Sequence, residues 1–181
     1  MSGHARSGIT DAEVRQAWEG RLAPVVPALV PAAIPPGTRR FLTEVGLPTV
    51  EVLNVYFPEG GHLPDPVRQG QLQFLVVTAD HSHICLAVEL SSERAFEFAA
   101  AAAHHTRVIN SDIAALLYFL GVLRTTMSRL DDLDEQGLLD AEILAEGMAG
   151  IRASLLARDP TAGYGQTPWT LLLNDLESQF E

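Results

Sequence analysis

Between Ile113 and Leu130, seven apolar residues fall on one face of a single helix: Ile113, Leu116, Leu117, Leu120, Leu123, Met127 and Leu130. Asn110 and Ser111 precede it as a cap pair. A stripe this long must be covered by another layer, so the rest of the chain has to supply a partner surface.

The flanking sequence supplies helices on both sides. Residues 1–9 read as a loose tail, and residues 10–181 as one domain. Thr10-Asp11-Ala12-Glu13 is a capping box, so a short helix should follow with Val14 and Trp18 inside. Residues 24–37 are proline-rich and read as extended. Thr38 is placed to cap a second short helix with Phe41, Leu42 and Val45 inside; Gly46 stops it and Pro48 prevents continuation. C-terminal to the long helix, Asp140 to about Ala157 should be helical, with Leu144, Met148, Ile151 and Leu155 inside. Thr167-Pro168 opens a last helix with Trp169, Leu172, Leu173 and Leu176 buried.

Strands fill the middle. Val50–Phe57 is β-branched and aromatic, residues 58–71 are turn-rich, Leu72–Thr78 is a nearly continuous apolar run, and His83–Leu90 follows a turn at Asp80-His81-Ser82. Phe96 and Phe98 alternate as in a strand, whereas Ala99–Ala103 favours helix; the first part is taken as strand. The expected fold is α+β: a central antiparallel sheet with two short N-terminal and three C-terminal helices.

Composition removes whole classes of chemistry. All 12 basic residues are arginine, so no Schiff-base, Walker-A or kinase lysine exists. The single cysteine, Cys85, permits no internal disulfide and suits a reducing cytoplasm. The N-terminus lacks the apolar core of a signal peptide, and five prolines break the apolar stretch 22–36, so no membrane segment is expected there. A net charge of −11 disfavours nucleic acid and anionic membrane and favours a basic partner, although it also serves solubility.

Motifs for catalysis or metal binding fall short. Asp132, Asp134, Gln136 and Gly137 match the start of a calcium loop, but position 12 is Ile143 and Glu142 is out of register. His81, His83 and Cys85 share one side of a strand, but a solvated pair of histidines beside a small buried cysteine accounts for them as well as zinc does. His104-His105 face different ways, and His62 with Glu59 and Asp65 does not make an acid–base pair. Gly163-Tyr164-Gly165 lacks the third glycine and preceding strand of a dinucleotide fingerprint. No catalytic residue, cofactor site or metal site is assigned.

Arg40-Phe41-Leu42-Thr43-Glu44-Val45-Gly46-Leu47-Pro48, Ile84-Cys85-Leu86, Val108-Ile109-Asn110-Ser111 and the C-terminal Trp169 with its leucine helix occur in an order that resembles the fourth family of the SUKH superfamily, the immunity proteins of bacterial polymorphic toxin systems. The resemblance spans roughly residues 10–178. It implies a SUKH-like α+β domain that occludes a cognate toxin, often a nuclease or deaminase, and no catalytic residue is carried over. Two departures stand out: Ala87 replaces an acid usual in relatives, and Glu89-Leu90-Ser91-Ser92 replaces a Gly-Glu-Val turn, which implies an altered toxin-facing edge.

The expected function is therefore a non-catalytic, cytoplasmic binding protein with a basic toxin as partner, and no nucleic acid or membrane. The alternative is a self-assembling structural protein on the same scaffold. The expected partner surface is Glu51, Glu59, Asp65, Asp80 and Glu89, each of which reads equally as a plain solvated acid. Trp18, Gly46, Pro48, Asn110 and Trp169 are expected to be structural.

Overall fold

The computed structural model describes residues 7–79, 85–97, 106–163, 169–170 and 173–174. Asp80, His81, His83, Phe98, the alanines 99–103, His104-His105, Tyr164, Gly165, Thr167, Pro168, Leu172 and Leu176 lie outside the described residues.

The helices are α1 (Asp11–Trp18), α2 (Pro36–Glu44), α3 (Ile113–Glu135) and α4 (Ala141–Arg158). The strands are β1 (Leu22–Ala23), β2 (Leu47–Pro48), β3 (Val67–Gln69), β4 (Leu72–Val76), β5 (Leu86–Glu89), β6 (Ala95–Glu97) and β7 (Arg107–Asn110). Strands β3 to β7 form a five-stranded antiparallel meander in chain order, and β1 pairs with β2 in a separate two-stranded ribbon. The α+β class is as expected. The helix arrangement is not: four helices are present among the described residues, two before and two after the sheet. Of the expected last helix, residues 169–170 and 173–174 are helical, with Trp169 and Leu173 buried.

α3 has the length and apolarity of a membrane-crossing helix, and here it is the core helix. Leu116, Leu117, Leu120 and Leu123 pack with Leu75, Val77, Leu86, Val88 and Ile109 of the sheet. α1 lies against it closely enough that a Cβ on Gly121 would come within 2.9 Å of Ala17 Cβ and Trp18 Nε1. Trp18, fully buried, donates its indole N–H to the Leu117 carbonyl at 2.7 Å, and the guanidinium of Arg124 sits 5.9 Å from its ring centroid. The capping box of α1 forms as expected. Ser7 of the expected loose tail is tied down, its backbone N–H and hydroxyl donating to Asp112.

Several local expectations change for tertiary reasons. Val50–Phe57 is not a strand. Leu53 and Asn54 both have positive φ, 49° and 60°, which makes a tight reverse turn between Val52 and Val55; Val52 and Val55 bury themselves at the base of the turn instead of along a strand. The turn-rich stretch after it contains β3, paired with β4. The extended arm contains a short 3₁₀ turn at Pro27–Leu29. α2 starts at Pro36, so Thr38 is inside its first turn and not its cap. Its first-turn amide is satisfied from far away, as Thr38 N–H and hydroxyl both donate to Glu93. The cap of α3 is Asp112, which accepts from Ala115 N–H at 2.8 Å, because β7 runs through Asn110 and leaves only Asp112 at the helix entrance. Gly46 does terminate α2, accepting the left-handed φ of +95°. Pro48 is buried in β2 opposite Leu22.

The sheet curls. Thr106, at the start of β7, donates its hydroxyl to Gln69 Oε1 of β3 at 2.7 Å. In a flat sheet these edges would lie four strand spacings apart, roughly 19 Å. On the concave face Phe74 of β4 and Phe96 of β6 meet edge-on at 5.3 Å, and Phe74 and Ala87 are fully buried. Both faces of β5 are therefore buried.

Candidate functional site

The ribbon β1–β2 places Ala23 and Pro24 beside Leu47 and Pro48. Beyond it the tight turn at Leu53-Asn54 sends the chain back, so Glu51 and Tyr56 come to the same place. The turn at 59–61 then brings Glu59 to it. The result is a cleft of about 440 Å³ with an apolar wall and floor from Pro24, Leu47, Pro48, Phe57 and Gly61. A backbone hydrogen bond from Ala79 N–H to the Tyr56 carbonyl at 2.8 Å fixes this bank to the end of β4. The Tyr56 hydroxyl is hydrogen-bonded to Glu51; that bond, with the carboxylate's charge, pushes the phenol pKa up. The phenol thus stays protonated and holds the Glu51 carboxylate in position.

Two expected partner residues, Glu51 and Glu59, are exposed and meet at this cleft. Asp65 is exposed but does not line it, and Asp80 lies outside the described residues. Glu89 is corrected. Its relative exposure is 3 %, since the second face of the sheet is buried where a solvated face was expected. Its carboxylate accepts from the Ser91 and Ser92 N–H groups at 2.9 and 2.8 Å and from the Ser91 hydroxyl at 2.9 Å. Ala87, the position where the resemblance leads to the expectation of an acid, is fully buried on the same concave face.

Burial pushes the Glu89 carboxyl up, but the hydrogen bonds from Ser92 and Ser91 outweigh it and hold it below the ordinary glutamate value. A folded-state pKa below the unfolded one stabilises fully above the ordinary glutamate range. That stabilisation is lost as pH falls through the lowered folded-state value. Thermal melts across this acidic window should therefore fall more shallowly for Glu89→Gln than for the parent protein. Parallel curves would show that Glu89 contributes nothing to the acid limb.

A second cleft, about 460 Å³, lies between α1 and α3 and includes Glu13, Glu19 and Tyr118. Its acids are already neutralised: Arg158 pairs with Glu13 and Arg124 with Glu19. Arg40 likewise takes Asp11 and Glu44, and Arg107 takes Glu97. Among the described residues no arginine pairs with Glu51 or Glu59. Of the two clefts, the first is therefore the one whose acidic charge is left available for another molecule.

The remaining motifs resolve structurally. Asp132 and Asp134 lie within α3, whose end is closed by Gly137 N–H to Asp134 O and Leu138 N–H to Leu133 O at 2.8 Å each. This segment is helix and helix stop, not a cation loop. Cys85 is half-buried beside Phe74. Among the described residues no group of three or more His, Cys, Asp or Glu is placed to hold a metal ion.

Two features escaped sequence reasoning. Tyr56 was read only as a strand residue; the Asn54 turn was the signal that could have revealed it. Asp159 had no signal at all. Its relative exposure is 1 %, and it accepts from Asn110 Nδ2 at 3.2 Å, Ser111 N–H at 2.7 Å and Thr161 N–H at 3.0 Å. Asn110 in turn accepts from Trp169 Nε1 at 3.1 Å.

A family model described as SUKH-4 immunity protein matches residues 9–175 of the chain. Neither the curated proteins nor the solved structures give a match.

Proposed function

Because the chain belongs to the SUKH-4 immunity protein family, we propose that it neutralises a cognate toxin of a polymorphic toxin system by binding and occluding it, without chemistry of its own. The family match carries this reading. The net charge of −11 and the two cleft acids that no arginine pairs with among the described residues extend it to a basic toxin domain acting on nucleic acid, a nuclease or deaminase. Such a toxin acts in the cytoplasm, so the protein is needed there. Nucleic acid and membrane, both anionic, are disfavoured as direct partners.

Co-expression with the product of a neighbouring toxin gene tests the reading. A stoichiometric complex and rescued growth are expected; no complex and no rescue end it. Within that complex, the Glu51→Arg/Glu59→Arg protein should associate about tenfold more slowly at low salt, with the difference shrinking as salt rises. Stopped-flow kinetics measures this, and Asp65→Arg serves as the comparison outside the cleft. Equal rates for all three proteins would remove the cleft from the association path.

A second reading, self-association, has one observation in its favour. Leu138 and Leu156 are 57 % and 50 % exposed, and Ala141, Ala145, Ala149, Ala153 and Ala157 form an exposed row between them along α4. The solution mass, by light scattering, distinguishes a monomer from an α4-paired dimer.

A further inference from the structure

We propose that the cleft between the β1–β2 ribbon and the Glu51–Gly61 segment is a socket for one arginine side chain presented by the protein partner. The inference rests on the immunity reading for the nature of the partner, and on the cleft for the chemistry. The cleft mixes apolar and acidic lining, with Pro24, Leu47 and Pro48 among its apolar residues and carboxylates at Glu51 and Glu59. That is the pattern an arginine presents in reverse: an aliphatic stem that buries against apolar surface and a charged head that does not.

The geometry favours arginine over lysine. Glu51 and Glu59 come from two separate turns of the chain, so their acceptor oxygens are not at one point. A planar guanidinium carries five donors in a fixed fork and can bond more than one carboxylate, whereas an ammonium is compact and strongly hydrated. The Tyr56 hydroxyl anchors Glu51, so less side-chain freedom is lost when the partner arrives. The tyrosine also lines the cleft, and its ring is a surface on which a guanidinium can stack. The other acid-lined cleft lacks this character, since Arg158 and Arg124 already occupy its carboxylates. Arginine in a pocket at the centre of an interface is a common anchor of binding energy.

The test is a titration of the ¹⁵N-labelled full chain with N-acetyl-arginine methylamide, followed by amide shifts. The lysine analogue and the neutral, nearly isosteric citrulline analogue are run alongside. Saturable shifts in the millimolar range are expected at Glu51, Tyr56, Glu59, Gly60 and Gly61. Binding should be about tenfold weaker or more for citrulline and for the Glu51→Gln/Glu59→Gln protein, whose spectrum elsewhere should be unchanged. Equal response to citrulline, tighter binding of lysine, or shifts spread over the acidic surface with none at these five amides would overturn the proposal.

The toxin complex separates the two failures. If the toxin binds the Glu51→Gln/Glu59→Gln protein as tightly as the parent, the socket is refuted and the immunity reading stands. If no toxin complex forms while arginine still titrates into the cleft, the immunity reading is the one that fails.

Discussion

Replacing Gly46 with alanine is expected to remove a large share of the protein's stability. The added Cβ would lie 2.0 Å from the Ala23 carbonyl oxygen, 2.2 Å from its carbon and 2.5 Å from Pro24 N. All three are backbone atoms, so no side chain can swing away. The residue also sits at a φ of +95°, where an L side chain is strained by about 1–2 kcal/mol before any contact is counted. Relief requires β1 to leave β2, which breaks the Leu22–Pro48 and Ala23–Leu47 pairing and pulls at the Val25 N–H to Leu42 carbonyl bond of 2.9 Å. A combined cost of about 4 kcal/mol or more is a large share of a total stability of roughly 5–15 kcal/mol. Gly60→Ala is the matched control: its φ is +65° but nothing lies within 4 Å of the new Cβ. Denaturant midpoints should put Gly46→Ala far below Gly60→Ala. Similar midpoints would mean that the close approach of the ribbon to Gly46 carries no weight.

Asp159→Ala should be nearly as damaging, by a different route. Asp159 ends α4, yet its carboxylate is spent on groups elsewhere: the side chain of Asn110 at the end of β7, the Ser111 N–H just before α3, and the Thr161 N–H of the following turn. Asn110 in turn holds the Trp169 indole, and Trp169 packs edge-on against Phe119 at 6.0 Å. Removing the carboxylate strands buried donors in the middle of this network, at about 1–3 kcal/mol for each donor that water cannot reach. A loss of about 3–5 kcal/mol is expected, with Trp169 fluorescence shifting red in the folded baseline as its neighbourhood loosens. Asp159→Asn keeps one acceptor oxygen and should recover part of the loss. If alanine and asparagine cost the same, the hydrogen bonds are not what holds this corner.

These two residues also mark what could and could not be read from the sequence. Gly46 was legible because a helix stop is a local event. The capping box at Thr10 and the apolar stripe of α3 were legible for the same reason. Asp159 was not legible, because the two partners that tie it to β7 and α3 lie 48 and 49 residues away. Glu93 was missed likewise: it serves the first turn of α2 from 55 residues on. In Asn110-Ser111-Asp112 all three residues are good caps, and only the length of β7 decides between them. Glu89 was misplaced by a sound rule applied to the wrong surface. Alternation puts it opposite Leu86 and Val88, and in an open sheet that side is wet; here the curl that joins Thr106 to Gln69 closes it. Of the candidate site, Glu51 and Glu59 were legible as acids, but the cleft they share was not. It depends on the turn at Leu53-Asn54 and on the ribbon, neither of which has a strong local signature.

The contacts of the N-terminal segment set the order in which this protein becomes usable in a cell. Ser7 is held by Asp112, Trp18 by Leu117 and Glu13 by Arg158, across separations of 105, 99 and 145 residues. A ribosome adding roughly 5–20 residues per second takes about 5–20 s to cover the first hundred of these. Through that interval α1 has been made and has nothing to dock on, so Val14 and Trp18 are open to chaperones. A message cut before α3 would therefore yield a fragment for the proteases, and the N-terminal contacts would close only after Arg158 has been added.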